Sequence, residues 1–192
     1  NWLDINKGNR MTRLTSYTNN ALGIDDLLKK TDYTIDEYYN KEFNTGDMVK
    51  TTIQTSNGEL IEITLNTTSA RPYSLDFSLQ GTRGLWDRRL GIESKSNIYL
   101  EKVTETTDEQ NSFIDGDVSC EGTHKFDDGD VYIKRYRHPL YIKYTETYGH
   151  GGMDWYMVNS LINSIKTNTK FETSVEDSLT MSVIVDISRK SI

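Results

Sequence analysis

Cysteine, proline and positive charge are scarce in this chain of 192 residues. Its single cysteine, Cys120, cannot form an internal disulfide or a thiolate zinc site, and two prolines with 10% aromatic residues exclude a disordered low-complexity tract. No stretch approaches the roughly 18 consecutive apolar residues of a membrane span. The 22 basic residues are outnumbered by 29 acidic ones, which argues against nucleic acid or an anionic membrane as the main partner. These absences predict a soluble, folded domain.

The first residues carry no initiator methionine, no charged leader and no apolar signal core. They begin with Asn1-Trp2-Leu3, which is typical of the middle of a fold. Either a leader or a whole preceding domain is therefore expected outside this sequence, and we favour the domain. The compartment stays open, because one cysteine fits the cytoplasm and an exported, periplasmic bacterial protein equally well.

Alternation of apolar and polar residues predicts antiparallel strands in the first half of the chain. Residues 49–55 alternate, Asn57-Gly58 suits a type I′ turn, and residues 61–65 alternate again. Residues 75–80 and 85–86 continue the pattern around a glycine-containing turn. Strands of this kind have one buried face and one polar face, and the polar face is either solvated or covered by a ligand or a second subunit.

The second half of the chain predicts further strands and then helices. Strands are expected at 97–103, 131–136 and 141–144, with polar loops at 104–117 and 127–129. Helical spacing marks residues 153–166, with apolar positions Met153, Met157, Val158, Leu161, Ile162 and Ile165. It also marks residues 174–188, which Ser174 caps and where Val175, Leu179, Val183 and Ile187 form the apolar stripe. Shorter helices are expected near 24–30 and 35–39.

These elements predict an α+β fold, an open and mostly antiparallel β-sheet with helices on one face, built as one domain over residues 1–192.

Motifs of several enzyme classes are missing. The chain has neither a Gly-x-Gly-x-x-Gly nor a Walker glycine loop, so it cannot form the usual dinucleotide site, and no Gly-x-Ser-x-Gly elbow marks a serine hydrolase. Carboxylates are abundant, but spacing does not select a pair for ordinary glycoside hydrolysis.

Among the three histidines, His150 stands out. His124 lies in a polar loop and is expected to be an exposed surface residue, and His138 before Pro139 is expected to be structural. His150 is surrounded by glycines in Tyr148-Gly149-His150-Gly151-Gly152 and leads into a helix. It is either a ligand-binding residue or an incidental part of a flexible helix-entry loop. With Asp154 it offers only two metal ligands, too few for a site, and no metal is expected.

The segment Thr67-Thr68-Ser69-Ala70-Arg71-Pro72-Tyr73 follows a predicted strand. Hydroxyls, a guanidinium and a phenol at a strand end match the donors and acceptors of a sugar. The alternative is a polar loop in which Arg71 pairs with an acid and Tyr73 packs.

Several blocks of the sequence resemble a known family. They are N-W-L-D-I-N-K-G-N-R, T-T-S-A-R-P-Y, L-Q-G-T-R-G, H-P-L, G-H-G-G-M-D and the final S-R-K-S-I. In this order they resemble the carboxy-terminal domain of the NAD-dependent α-N-acetylgalactosaminidases, glycoside hydrolase family 109, a branch of the Gfo/Idh/MocA oxidoreductases. The stretch of about 88–135 matches poorly, and Ala70 and the last helix at Asp177-Ser178-Leu179 depart from the family pattern.

The resemblance implies a two-domain parent enzyme. An amino-terminal Rossmann domain would bind NAD and, with the family's catalytic histidine and tyrosine, lies outside this chain, which alone is expected to be inactive. Tyr73 and His150 would bind the sugar, while Arg71 would shape its loop and Asp154 would orient His150. The reaction implied is oxidation of the sugar, elimination, water addition and reduction.

Two other functions fit the same residues. The parent could be an NAD(P)-dependent sugar or polyol dehydrogenase, or the chain could be a non-catalytic carbohydrate-binding or assembly module. The expected partners are a sugar, the NAD-binding domain of the same parent chain, and a second copy through the open sheet face. Nucleic acid and a membrane span are not expected.

Overall fold

The protein is described by a computed structural model that covers residues 2–30, 42–88, 95–100, 126–144 and 150–192. The strands are β1 (Met11–Thr18), β2 (Met48–Thr55), β3 (Leu60–Asn66), β4 (Phe77–Gly81), β5 (Gly84–Arg88), β6 (Asn97–Leu100) and β7 (Asp127–Asp128). The helices are α1 (Leu22–Lys30), α2 (Gly129–Arg135), α3 (Pro139–Tyr144), α4 (Met153–Thr167) and α5 (Val175–Ser191). Open antiparallel sheets with helices confirm the predicted α+β class.

The described residues form two compact units. The first comprises the chain up to Arg71 together with Val158–Ile192, and the second is Pro72–Met157. Each unit contains its own sheet, ordered β1-β2-β3 in the first and β4-β5-β6-β7 in the second. The single-domain organisation stays a prediction.

The central strand of the first sheet shows the predicted alternation. In β2 the side chains of Val49, Thr51, Ile53 and Thr55 are buried, and Lys50, Thr52 and Gln54 are exposed. Ile53 is completely buried and Val49 nearly so, and these two are the buried apolar side chains among the described residues. The core of this unit therefore lies over β2, on the face that the alternation predicts.

The hairpin turn lies where the sequence predicts it, but its type differs. Only Gly58 has a positive φ, of 95°, whereas a type I′ turn needs two such residues. The Gly58 N–H donates to the carbonyl of Thr55 at 3.2 Å, and the Thr55 N–H donates to the carbonyl of Glu59 at 3.0 Å. Asn57 has no positive φ, and its N–H donates to Oδ1 of Asn9 at 3.3 Å.

Helix α5 packs on this sheet through hydroxyl groups. Ser16 and Thr51 share a buried hydrogen bond of 2.8 Å, and Thr51 contacts the hydroxyl of Ser188 at 3.3 Å. The Ser16 N–H also donates to the hydroxyl of Ser191 at 3.0 Å. The helix approaches closely because serine replaces a bulky side chain at the contact.

The apolar stripe predicted for α5 does not form the buried face of the helix. Its members are exposed: Val175, Leu179, Val183 and Ile187. The more shielded positions are Asp177, Thr180, Ile184 and Ser188. Asp177 and Thr180 each form a hydrogen bond with Asn6, and Ser188 contacts the hydroxyl of Thr51 in the sheet. The predicted amino-terminal cap is confirmed, since the hydroxyl of Ser174 accepts from the Asp177 N–H at 3.0 Å.

Helix α4 confirms the predicted segment but not a buried stripe. Its bounds agree with the prediction to one residue. All six predicted apolar positions are exposed. The spacing of the apolar residues therefore predicts the helix correctly, but it does not show that this face is buried.

In the second unit the strands β4, β5 and β6 lie where the sequence predicts strands, whereas the elements from residue 127 to residue 144 differ from the prediction. Strand β4 begins two residues late, because Asp76 has a φ of 46° that interrupts an extended chain. The strands predicted at 131–136 and 141–144 are instead helices α2 and α3, and the predicted loop at 127–129 holds β7 and the start of α2.

Local capping explains both helices. The Asp128 carboxylate accepts from the Asp130 N–H at 2.9 Å and starts α2, which overrides the alternation of Val131 and Ile133. Similarly, Nδ1 of His138 accepts from the Leu140 N–H at 3.2 Å in the first turn of α3. His138 therefore has the structural role that the sequence predicts.

Some predictions fall outside the described residues. They concern the helix at 35–39, the end of the strand at 101–103, the loop at 104–117, Cys120 and His124. Among the described helices, none is long and apolar enough to cross a bilayer.

Candidate functional site

The glycine-rich turn at His150 has an unusual backbone. Three consecutive residues, His150, Gly151 and Gly152, have φ values of 41°, 67° and 87°. Glycine adopts such angles without steric cost, whereas histidine does so with strain, which is often found at functional positions. A Cβ at Gly151 would meet no atom within 4 Å, so the glycine is required by conformation rather than by space. The turn leads directly into α4.

The turn brings His150 and Asp154 together. Nδ1 of His150 lies 2.8 Å from Oδ2 of Asp154, one helical turn further along. Because an ionised carboxylate only accepts hydrogen bonds, Nδ1 carries the proton and Nε2 is the second functional nitrogen of the ring. The imidazole side chain is 83% exposed, so a ligand in solution can reach it.

Asp154 also changes the acidity of the imidazole. Its hydrogen bond, and then its negative charge, raises the pKa of His150 above the usual 6.5. The ring can therefore donate from Nε2 when protonated and accept there when neutral, with the change displaced to higher pH. A group of this kind can bind and orient a hydroxyl-bearing ligand, or exchange a proton with it.

The carboxylate of Asp154 is expected to control this titration. Replacing Asp154 by asparagine removes the charge and the acceptor, so the pKa of His150 should fall toward its ordinary value. An NMR titration of the imidazole resonances measures the change. The matched control is Asp186→Asn on the exposed part of α5, which should leave the titration unchanged. An unaltered pKa in the Asp154 variant would contradict the pairing.

The second predicted segment, Thr67–Tyr73, is anchored at its beginning by Asp47. The backbone carbonyl of Asp47 accepts from the Thr67 N–H at 2.9 Å, and its carboxylate accepts from the hydroxyl of Thr68. The same carboxylate accepts from the Gly23 N–H at 2.7 Å and the Ile24 N–H at 3.3 Å at the start of α1. A carboxylate in this position satisfies backbone donors and complements the helix dipole.

Sequence reasoning did not identify Asp47, which is only 5% exposed. These hydrogen bonds, with that of Thr68 the strongest influence, lower the pKa of Asp47 and keep it ionised. The close approach of α1 also explains Gly23, where a Cβ would lie 2.8 Å from the carbonyl oxygen of Thr68. No local spacing connects residues 23, 47 and 68, so only the folded chain reveals this contact.

The other predicted site residues occupy different units. Arg71 ends the first unit, while Tyr73, His150 and Asp154 belong to the second. Tyr73 lies in an irregular stretch before β4 and is 67% exposed. Of the four residues, the structure joins His150 to Asp154, and no hydrogen bond links Tyr73 to His150 among the described residues. Their convergence in one cleft stays a prediction.

Potential metal ligands and the starts of helices decide whether the described residues could hold a metal ion or the phosphates of a dinucleotide. No group of three or more potential metal ligands occurs within the ranges that the structure describes. The chain lacks a dinucleotide glycine motif, and the starts of α1 and α5 are capped by Asp47 and Ser174 rather than open to a phosphate.

Comparison with known proteins gives one family over the whole chain. The family model "Glycosyl hydrolase 109, C-terminal domain" matches residues 1–192. An alpha-N-acetylgalactosaminidase of Tannerella forsythia is 31% identical over 196 residues, covering 100% of this chain and 37% of the relative. A glycosyl hydrolase family 109 protein of Stenotrophomonas maltophilia is 29% identical, with 98% of this chain and 37% of the relative covered.

A third relative, an alpha-N-acetylgalactosaminidase of Shewanella oneidensis, is 28% identical and is covered over 39% of its length by the whole of this chain. The chain thus spans less than two fifths of these curated relatives. The match extends through the blocks that carry the glycine-rich turn and the Arg71–Tyr73 motif. The chain belongs to glycosyl hydrolase family 109 and corresponds to its C-terminal domain.

Proposed function

We propose that this chain is the substrate-recognition domain of an NAD-dependent glycosidase acting on α-N-acetylgalactosaminides or related sugars. The reaction is the oxidation, elimination, addition and reduction sequence that the resemblance implies. Membership of the family supports a glycoside as the substrate. Two relatives are named alpha-N-acetylgalactosaminidase, which supports N-acetylgalactosamine as the sugar.

The observation that carries the proposal is the His150–Asp154 pair on the strained glycine turn. Its 2.8 Å hydrogen bond fixes which ring nitrogen is presented, and the turn holds the ring in an exposed position. Nε2 binds a sugar hydroxyl as acceptor or donor, depending on its protonation state. A fixed ring orients the sugar better than a freely rotating one, because less conformational entropy is lost on binding.

Tyr73 supplies the second contact in this proposal. Its exposed phenol can stack on a sugar face and can donate and accept a hydrogen bond. Asp47 holds the beginning of the segment that leads to Arg71 and Tyr73. The segment is therefore tied at one end to α1 and β2, which limits the range of positions that Tyr73 can take.

In this proposal the NAD is bound by a part of the parent protein outside this sequence, as the resemblance implies. The residues here bind and orient the sugar, and no step of the redox chemistry is assigned to them.

The experiment is an assay of the full-length parent with a chromogenic α-N-acetylgalactosaminide. We expect release of the aglycone without net accumulation of NADH. Accumulation of NADH from a free sugar, without aglycone release, would instead identify a sugar or polyol dehydrogenase. Sugar binding with neither reaction would identify a non-catalytic carbohydrate-binding module.

A further inference from the structure

Residues 131–143 reverse the charge of the protein locally. This segment contains Lys134, Arg135, Arg137 and Lys143 and no acidic residue. The rest of the chain contains the other 18 basic residues and all 29 acidic residues, so it is strongly acidic. The four cations are exposed, and we name residues 131–143 the basic strip.

The basic strip combines cations with aromatic rings. The guanidinium carbon of Arg137 lies 4.4 Å from the ring centre of Tyr141, and that of Arg135 lies 5.5 Å from the ring centre of Tyr136. Tyr136 is also stacked with Tyr132, with ring centres 6.5 Å apart. Cation–π contacts restrict the guanidinium groups while their N–H edges remain able to bind an anion in two-point fashion.

The strip is held in place by the rest of its unit. Oδ1 of Asp130 accepts from the backbone N–H and the hydroxyl of Ser96, at 3.1 and 2.7 Å, which ties the start of α2 to the chain just before β6. At the other end, α3 packs against the turn His150–Gly152. The carboxy-terminal part of the basic strip, in α3, therefore lies beside the turn that carries His150, within one compact unit.

We propose that the basic strip is a subsite for an acidic saccharide, an oligosaccharide that carries a sulfate or a carboxylate. The cations bind the anionic group, and the exposed tyrosines contact the sugar faces. Membership of a glycosyl hydrolase family favours a carbohydrate over other anions. Its position relative to His150 rests on the proposed function, whereas anion binding by the strip does not.

Charge also favours a short saccharide over a long polyanion. Outside the strip the chain is strongly acidic, and charges interact over about 8 Å at physiological salt. A nucleic acid or an anionic membrane would extend beyond the strip and meet this repulsion, whereas one sulfate or carboxylate would not.

Calorimetric titration of the full-length protein tests the proposal. Three oligosaccharides with one N-acetylgalactosamine-containing backbone are compared: a neutral one, a sulfated one and one that carries a uronic acid. At low salt we expect at least one acidic sugar to bind about tenfold more tightly than the neutral one, with the difference shrinking at high salt. Equal affinity for all three would overturn the proposal.

Variants locate the effect. Arg135→Gln with Arg137→Gln should remove most of the preference while leaving the affinity for the neutral sugar unchanged. The control is Lys29→Gln with Lys50→Gln, which removes the same number of exposed charges from the first unit. This variant should keep the preference for the acidic sugar. If the arginine variant does not fold, Lys134→Gln with Lys143→Gln provides the same test.

Other outcomes are equally decisive. A preference that survives in the strip variants would overturn the assignment. So would binding of a single-stranded oligonucleotide or an anionic phospholipid vesicle through the same residues more tightly than the acidic sugar. If the full-length protein prefers the acidic oligosaccharide but releases no aglycone in the glycosidase assay, only the proposed function is contradicted.

Discussion

Replacing His150 by alanine in the full-length parent should lower kcat/KM for an α-N-acetylgalactosaminide at least tenfold. The substitution removes the imidazole that the turn and Asp154 hold toward solvent. It should leave the fold intact, since an exposed side chain contributes little packing. Steady-state kinetics measures the loss, and circular dichroism checks the fold.

Tyr73→Ala should lower kcat/KM by a similar factor, because it removes the exposed phenol that contacts the sugar in the proposed function. Tyr17→Ala provides a matched control, because Tyr17 is 73% exposed against 67% for Tyr73 and lies on β1. Unchanged turnover in both the His150 and Tyr73 variants would refute the site. A loss in only one would separate the two contacts and show which of them orients the substrate.

Replacing Ile53 by alanine should destabilise the first unit by about 2–5 kcal/mol, the usual cost of a large-to-small change in a core. Ile53 is completely buried at the centre of β2, and only Val49 accompanies it as a buried apolar side chain among the described residues. Few buried side chains are therefore available to move into the cavity that the substitution leaves. Urea unfolding followed by circular dichroism measures the change.

The same substitution at Ile63 is the control. Ile63 lies on β3, on the same sheet face, and is 38% exposed. Because part of its surface stays in water in the folded state, Ile63→Ala should cost about 1 kcal/mol or less. Equal losses at both positions would contradict the placement of the core over β2.

Patterns with a short period predicted much of the fold. The alternation in β2 identifies the strand and its buried face, and helical spacing identifies α4 and α5 with their approximate bounds. Ser174 followed by Asp177 predicts the cap of α5 that is found. These features depend on neighbouring residues, so the local sequence contains what is needed.

The site was predicted in part. The glycines around His150 indicated a special backbone, and three successive positive φ values are the physical form of that signal. The spacing of four residues to Asp154 is one helical turn, which is why the contact could be expected. Asp47 was missed because its partners Gly23 and Thr68 are more than 20 residues away in the chain.

The sequence alone therefore determined strands β2 and β3 of the first sheet, the two long helices and the residues of the glycine turn, since each depends on conformational preferences within a few residues. Strand β1 was not predicted. Only the tertiary structure decided which face of α5 meets the sheet and that Asp47 joins α1 to the Thr67–Tyr73 segment. These outcomes depend on groups from distant parts of the chain. Ser16 and Thr51 of the sheet form hydrogen bonds with the hydroxyls of Ser191 and Ser188 of α5, which lie far along the chain. Asp47 likewise lies more than 20 residues from its partners Gly23 and Thr68.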